Sequence, residues 1–315
     1  MVLAFLGVAG GLVCLAIGAE GLVRSASSLA QRLGVSPLVV GLTVVAYGTS
    51  TPELVVSLQA ALDGAADIAL GNVVGSNISN VGLILGAAAL LSPVRAQAQV
   101  LRLEVPIMIG VSALLIGLWW DGVIGRFNGI VLTTGAVAYA VLCVWGAREE
   151  SEPGVKAAFE EGVPATRPWA WDLGVGAGGL GLMVLGARWL VNGAVTIGET
   201  VGVSTVVIGL TVVAVGTSLP ELATSLVAAR RGQSEIALGN VVGSNIFNVL
   251  GILGLTATVQ PIDATGLPWY DGAVMLAFAV LTVPLLWRDA TFSRTEGGLL
   301  LLAYAAYVTA RVLVG

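Results

Sequence analysis

GLTVVAYGTSTPELVVS (Gly41–Ser57) and GNVVGSNISNVGLILG (Gly71–Gly86) recur as GLTVVAVGTSLPELATS (Gly209–Ser225) and GNVVGSNIFNVLGILG (Gly239–Gly254). The offset is 168 residues throughout, and roughly 33 of the 46 aligned positions are identical without a gap. Such self-similarity marks an internal duplication. Each copy sets one glutamate, Glu53 or Glu221, beside a Pro, a Thr and a Ser in the middle of an apolar run. Those two carboxylates are what the surrounding sequence has to account for.

The chain is 57% hydrophobic and 10% charged over 315 residues, against about 25% charged in soluble domains. It therefore reads as a polytopic membrane protein whose solvent is the bilayer. The 43 glycines fit close helix packing in lipid. There is no His, which removes His-based catalysis and His-ligated metal sites. Cys14 and Cys143 both lie in apolar runs and read as small buried hydrophobes rather than a disulfide or metal pair. The one lysine, Lys156, belongs to no GxxxxGK phosphate loop, so nothing points to ATP-driven transport. The apolar start, Met1–Val23, has no basic leader and no A-x-A-like cleavage site, and reads as a first span.

About 20 apolar residues cross a bilayer. On that rule ten spans are predicted, at 1–23, 37–62, 68–92, 103–120, 126–146, 171–192, 204–229, 236–260, 271–287 and 297–314. The fold class is thus all-α, with an N-terminal five-helix repeat (1–147), a linker (148–170) and a C-terminal five-helix repeat (171–315). The linker holds Glu149, Glu150, Glu152, Glu160 and Glu161 and reads as a solvated connection. With the N-terminus outside, Arg24, Arg32, Arg95, Arg102, Arg148, Lys156, Arg167, Arg230, Arg231, Arg288 and Arg294 all fall on the cytoplasmic side. Only Arg126, Arg188 and Arg311 fall outside, so both termini are expected outside and the linker in the cytoplasm. The eight Trp lie near predicted span ends, as an aromatic belt requires. The two cassettes are five spans apart. An odd number reverses direction, so the halves form an inverted-topology repeat, the plan of secondary transporters with a site at the midplane between repeats. A channel can also be built from repeats.

Ala46, Thr49, Ser50 and Glu53 share one helix face by their spacing. Pro52 has no N–H, so the Gly48 carbonyl loses its helical partner. Freed carbonyls in lipid have to be paired or face a polar cavity or an ion. The second copy repeats the set with Ala214, Thr217, Ser218, Pro220 and Glu221. The following helix carries Asn72, Ser76 and Asn80 at i, i+4, i+8, matched by Asn240, Ser244 and Asn248. Beside them, Gly71 with Gly75 and Gly239 with Gly243 form GxxxG strips for close backbone approach. Asn77 and Asn245 flank the stripe. For them, as for Asn72 and Asn240, bracing and coordination both remain open. The donor set is all oxygen, which suits hard cations such as Ca²⁺ and Na⁺. A charged side chain near the bilayer centre costs at least about 2.5–3.5 kcal/mol. Ca²⁺, several monovalent cations or protons would neutralise the pair, and competition between them is the physical basis of antiport.

At the two GTS-x-PE-L and the two G-N-x-x-G-S-N-I-x-N segments, the chain resembles the sodium/calcium exchanger family of the calcium/cation antiporter superfamily. The resemblance implies a rigid core of the second, third, seventh and eighth spans, with the first and sixth sliding across it. It implies cation sites lined by Ala46, Thr49, Ser50, Glu53, Ser76 and Asn80, and by Ala214, Thr217, Ser218, Glu221, Ser244 and Asn248. The alanines and threonines would act largely through backbone carbonyls. The proton-coupled branch usually carries Gly-Asn where this chain has GTS, which favours sodium. Several family members carry an Asp in one repeat where Asn80 or Asn248 stands here, so this core holds two carboxylates rather than three. The large cytoplasmic regulatory domain of animal exchangers is absent.

The expectation is therefore a Ca²⁺/Na⁺ antiporter working by alternating access, in the cell (inner) membrane and functional as a monomer. Ca²⁺, Na⁺ and the lipid bilayer are the expected partners. No cofactor, enzymatic activity or nucleic-acid partner is expected. The alternative is a Ca²⁺/H⁺ antiporter, followed by a cation channel, which would conduct without a counter-ion.

Overall fold

The computed structural model describes residues 1–64, 66–149, 168–200, 214–265, 267–287 and 289–314. The long helices are α1 (Val2–Leu33), α2 (Pro37–Thr49), α3 (Thr51–Leu62), α4 (Ile68–Leu91), α5 (Val100–Leu118) and α6 (Arg126–Glu149). After the linker come α7 (Trp169–Thr200), α8 (Leu219–Arg230), α9 (Ser234–Val259), α10 (Trp269–Leu286) and α11 (Arg294–Val314). Among the described residues seven helices are long and apolar enough to cross a membrane, or eight if α2 and α3 count as one bent span. Most of linker 148–170 and the first part of predicted span 204–229 lie outside the described residues.

The first and sixth helices are longer than the apolar runs suggested. α1 continues past residue 23 through Arg24, Ser27, Ser28 and Arg32, because tertiary ties hold that polar end. Ser25 donates to the Asp172 carbonyl at 2.6 Å, Ser28 to its carboxylate at 2.8 Å, and Arg32 pairs with it at 2.7 Å. Arg24 and Arg32 are thus on a helical extension, not in a loop. Gly34, at φ 65°, closes the helix in the left-handed region that glycine enters without strain.

α1 and α7 run antiparallel in close contact. A Cβ on Gly18 would lie 2.5 Å from the Gly179 carbonyl oxygen, and one on Gly11 2.6 Å from that of Gly186. Only glycine permits such backbone approach. Their outer faces carry Leu3, Phe5, Leu6, Trp171, Leu185 and Trp189, all exposed, as a lipid-facing surface requires. Seven of the eight tryptophans are exposed. Trp119 departs from the belt expectation: it is buried, and its indole N–H donates to the Ala264 carbonyl at 3.0 Å.

In the centre α4 and α9 are the most enclosed helices. Gly239 and Gly243 press on α2, where added Cβ atoms would come within 2.8 Å of the Leu38 carbonyl oxygen and 2.5 Å of that of Leu42. The corresponding Gly75 meets nothing within 4 Å, and most of the segment equivalent to α2, residues 205–213, lies outside the described residues.

Two short antiparallel ribbons tie the halves together. β1 (Val94–Arg95) pairs with β4 (Thr291–Phe292), with Val94 opposite Phe292. β2 (Val123–Ile124) pairs with β3 (Ile262–Asp263), with Ile124 opposite Ile262. Since α10 runs from β3 to β4, the ribbons sit at opposite ends of an 18-residue helix, about 27 Å apart at 1.5 Å per residue.

Candidate cation-binding site

Each cassette builds its part of the site by interrupting a helix. α2 contains a widened π turn at Gly41–Val45 and breaks at Ser50, whose φ and ψ are −82° and 6°. Thr51–Leu62 then departs at 43°, with Pro52 in its first turn, where a missing N–H costs nothing. The break thus falls two residues before Pro52. Ser218 repeats this conformation, at −86° and 8°, ahead of Pro220. In α4 and α9 the turns at Asn80–Leu85 and Asn248–Leu253 are widened in the same way, each opened by an asparagine. Widened turns of this kind frequently mark functional sites.

These interruptions bring the predicted side chains together. Glu53, Glu221, Thr49, Ser50, Ser218, Ser76, Ser244, Asn80 and Asn248 are all buried. The hydrogen bonds cross between halves in reciprocal fashion. Ser50 donates to Glu221 Oε1 at 2.8 Å, and Ser218 to Glu53 Oε1 at 3.2 Å. Ser50 Oγ also lies 3.0 Å from Ser244 Oγ, and Ser218 Oγ 3.4 Å from Ser76 Oγ. Thr49 donates to Asn240 Oδ1 at 3.1 Å, and Thr217 to Asn72 Oδ1 at 3.5 Å. A pairing in which residue i of one copy meets j of the other, and j meets i, is the signature of a two-fold relation.

The asparagines divide into two roles. Asn72 donates to the Glu53 carbonyl at 3.2 Å and to Ser57 at 2.9 Å. Asn240 does the same to the Glu221 carbonyl at 3.3 Å and Ser225 at 3.0 Å. With their oxygens taken by the threonines, both amides are committed to bracing. Asn77 and Asn245 brace as well, accepting from Asn248 at 2.9 Å and from Asn80 at 3.0 Å. Asn80 and Asn248 therefore use their N–H groups on protein and turn their oxygens away from it.

Among the predicted site residues four buried oxygens are left over. Glu53 Oε2, Glu221 Oε2, Asn80 Oδ1 and Asn248 Oδ1 meet no donor. A buried acceptor without a partner costs about 1–3 kcal/mol. Two of the four belong to carboxylates and two to amides, so the set asks for positive charge coordinated by oxygen. Among the described residues no group of three or more His, Cys, Asp and Glu comes together, leaving two carboxylates as the formal charge of the site.

Two predicted ligands stand differently. The Ala46 carbonyl accepts from the Ser50 N–H at 3.0 Å and lies 3.3 Å from Thr49 Oγ1, so it serves the helix break in this conformation. Ala214 opens a single helical turn, Ala214–Thr217, at the edge of the described residues. Ser57 and Ser225, both buried, were not among the predicted residues. Their signal was available: each stands four residues after the glutamate, in both copies.

Access to the site is uneven. A cavity of about 270 Å³ opens between α7 and α3, lined by Arg188, Val191 and Asn192 on one side and by Thr51, Pro52 and Val55 on the other, reaching Thr217. On the opposite side Leu219, Ala223 and Val227 of α8 close against the cluster of Leu15, Ala19, Leu22 and Val23 on α1.

Comparison with known proteins points one way. The family model described as sodium/calcium exchanger protein matches residues 3–145 and 171–313. The CaxA protein of Alkalimonas amylolytica is 40% identical over 304 residues, covering 94% of this chain and 95% of that protein. The sodium/calcium exchanger MaX1 of Methanosarcina acetivorans is 34% identical, covering 95% of each chain. The solved structure of the sodium/calcium exchanger from Methanococcus jannaschii superimposes with a TM-score of 0.84 at 30% identity, over 98% of both chains. With both halves matched in sequence and the whole chain matched in fold, this integral membrane protein belongs to the sodium/calcium exchanger family.

Proposed function

We propose that this protein is an antiporter that exchanges Ca²⁺ for Na⁺ at a site between Glu53 and Glu221. The observation that carries the reading is the set of four buried, unpartnered acceptor oxygens, two from carboxylates and two from amides turned into place by Asn77 and Asn245. Ca²⁺ takes six to eight oxygen ligands and tolerates irregular geometry. Glu53 Oε2 and Glu221 Oε2 supply its charge compensation. Ser50, Ser218, Ser76 and Ser244, with the amide oxygens, supply neutral ligands. Na⁺ binds in sub-sites around the same carboxylates, so the two cations exclude one another. The names of the related exchangers support the Na⁺ and Ca²⁺ pair.

The architecture proposed is ten spans in two inverted five-helix repeats, 1–147 and 171–315, joined by a cytoplasmic linker, 148–170. The two matched segments, 3–145 and 171–313, support that division. The ribbons support the inversion. Under the 168-residue offset β1 corresponds to β3 and β2 to β4, yet β1 pairs with β4 and β2 with β3. Equivalent strands therefore sit at opposite ends of α10, the placement expected of repeats related by an axis in the membrane plane. The proposal places both termini outside the cell membrane, with a monomer as the working unit. α1 and α7 slide over the core to expose the site alternately, and the cavity beside α7 is the open side.

The test is Ca²⁺ uptake into proteoliposomes loaded with Na⁺. Uptake should require the outward Na⁺ gradient and cease when K⁺ replaces Na⁺. Uptake that ignores Na⁺ and follows a pH gradient would overturn the sodium reading in favour of Ca²⁺/H⁺ exchange.

A further inference from the structure

We propose that Glu20–Arg231 and Arg188–Asp63 form two charge-reversed latches that close alternately, one at each face of the membrane. The inference rests on the sliding of α1 and α7 proposed above. The carboxylate of Glu20, on α1, accepts from Arg231 Nε at 2.8 Å and is also gripped by the Arg231 Nη2. Arg231 is the C-cap of α8, in the core. This contact therefore fastens the sliding pair to the core, at the end where α1 closes on α8.

Adding or subtracting the repeat offset turns Glu20 into Arg188 and Arg231 into Asp63. Asp63 caps α3 as Arg231 caps α8. Both signs are reversed in the second pair, so the attraction is preserved. Complementary charge is thus present at both positions although all four residue types differ between the copies. In this conformation the second pair is open. Among the described residues Arg188 makes no ion pair, and it lines the cavity between α7 and α3. Asp63 takes hydrogen bonds from Gln59 Nε2 at 2.9 and 3.0 Å instead. The closed latch thus coincides with the closed face, and the open latch with the cavity. When α7 packs on α3 as α1 packs on α8 here, Arg188 meets Asp63.

The two latches are unequal. Arg24 also holds Glu20, at 2.8 Å, whereas its counterpart under the offset is the neutral Asn192. Arg24 lies on α1 with Glu20, so Glu20 keeps a cation when the Arg231 contact opens, whereas α7 offers Asp63 no second cation at the equivalent position. These groups are partly exposed, where ion pairs are weak. A gate whose two states are nearly balanced still responds to a change of a few-fold.

The test places a reporter cysteine in the cavity, Val55→Cys, on a Cys14→Ala, Cys143→Ser background, and follows its maleimide labelling rate in nanodiscs. Glu20→Gln or Arg231→Gln should lower the rate about two- to five-fold, and Glu20→Arg combined with Arg231→Glu should restore most of it. Asp63→Asn should leave the rate unchanged or raise it. Without the reporter, Asp63→Cys with Arg188→Cys should cross-link during exchange and halt it until reduced. Unchanged labelling in Arg231→Gln, or failure of the 63–188 pair to cross-link while transport continues, overturns the latches. Cross-linking Glu20→Cys to Arg231→Cys separates the two levels. Exchange that runs on through that bond overturns the sliding of α1 itself, whereas arrested exchange with unchanged labelling overturns the latches alone.

Discussion

The core around Glu53 and Glu221 and the α1–α7 pair beside it are held by opposite means. In the core, asparagine amides reach across helices to carbonyls, serines and one another, so every element has a specified position. Between α1 and α7, glycines meet carbonyl oxygens with no side chain between them, and the directed polar ties gather near one end, at Asp172. A hydrogen-bonded amide fixes a register, while a smooth glycine seam leaves two helices to travel together. On the proposed mechanism, the contrast separates what has to stay still, the ion ligands, from what has to move.

The contrast breaks most sharply at the carboxylates. Glu53→Gln or Glu221→Gln removes half of the charge facing the cation while keeping its shape. Each should lower Ca²⁺ exchange at least ~100-fold, about 2.7 kcal/mol, with an unchanged circular dichroism spectrum. Near-normal Ca²⁺ flux in either variant would remove that residue from the site. Next comes the bracing. Asn240→Ala takes the amide donor from the Glu221 carbonyl and Ser225 and one of two acceptors from Thr49, at roughly 1–3 kcal/mol for a buried group left unpaired. Ca²⁺ binding by calorimetry should weaken about ten-fold, and the melting temperature should fall.

A glycine in the seam tests the other partner in the comparison. Gly179→Leu puts side chain where the Gly18 carbonyl already lies, an overpacking cost of typically 1–3 kcal/mol. The exchange rate should drop several-fold while Ca²⁺ affinity at equilibrium changes little. A pure affinity loss would show that α7 shapes the site rather than access to it. The smallest effect is expected from Asn80→Asp. The new carboxyl would face Asn245 Oδ1, an acceptor that now receives the Asn80 N–H. It has to carry a proton to keep that bond, so Ca²⁺ exchange should acquire a pH dependence. A pH-flat profile would mean that the side chain has swung off Asn245.

Much of this site was legible in sequence because duplication repeats its own evidence. Glu53 and Glu221, Ser50 and Ser218, and the Asn–Ser–Asn stripes declared themselves by recurring at one offset in apolar surroundings. The widened turns that begin at Asn80 and Asn248 were not legible, since a π turn has no residue signature of its own and follows from how α4 and α9 pack. The same blindness hid the role of Asn72 and Asn240. As polar residues on one stripe with the ligands they could have been either, and only the distances to Ser57 and Ser225 decide for bracing. The length of α1 was missed for a different reason. An apolar run shows where lipid ends, and the polar turns beyond it depend on Asp172, which lies 140 residues or more away along the chain.

That separation has a consequence for how the protein is made. The hydroxyl that meets Glu53 belongs to Ser218, 165 residues later in the chain, and the strand partner of Val94 is Phe292. At synthesis rates of about 5–20 residues per second, Glu53 enters the bilayer roughly 10–30 s before its donor exists. The first half is therefore born with its costliest side chain unmatched and its ribbon edges open. Biogenesis has to shelter this half in the insertion machinery, or hold it loosely packed, until the last two helices arrive.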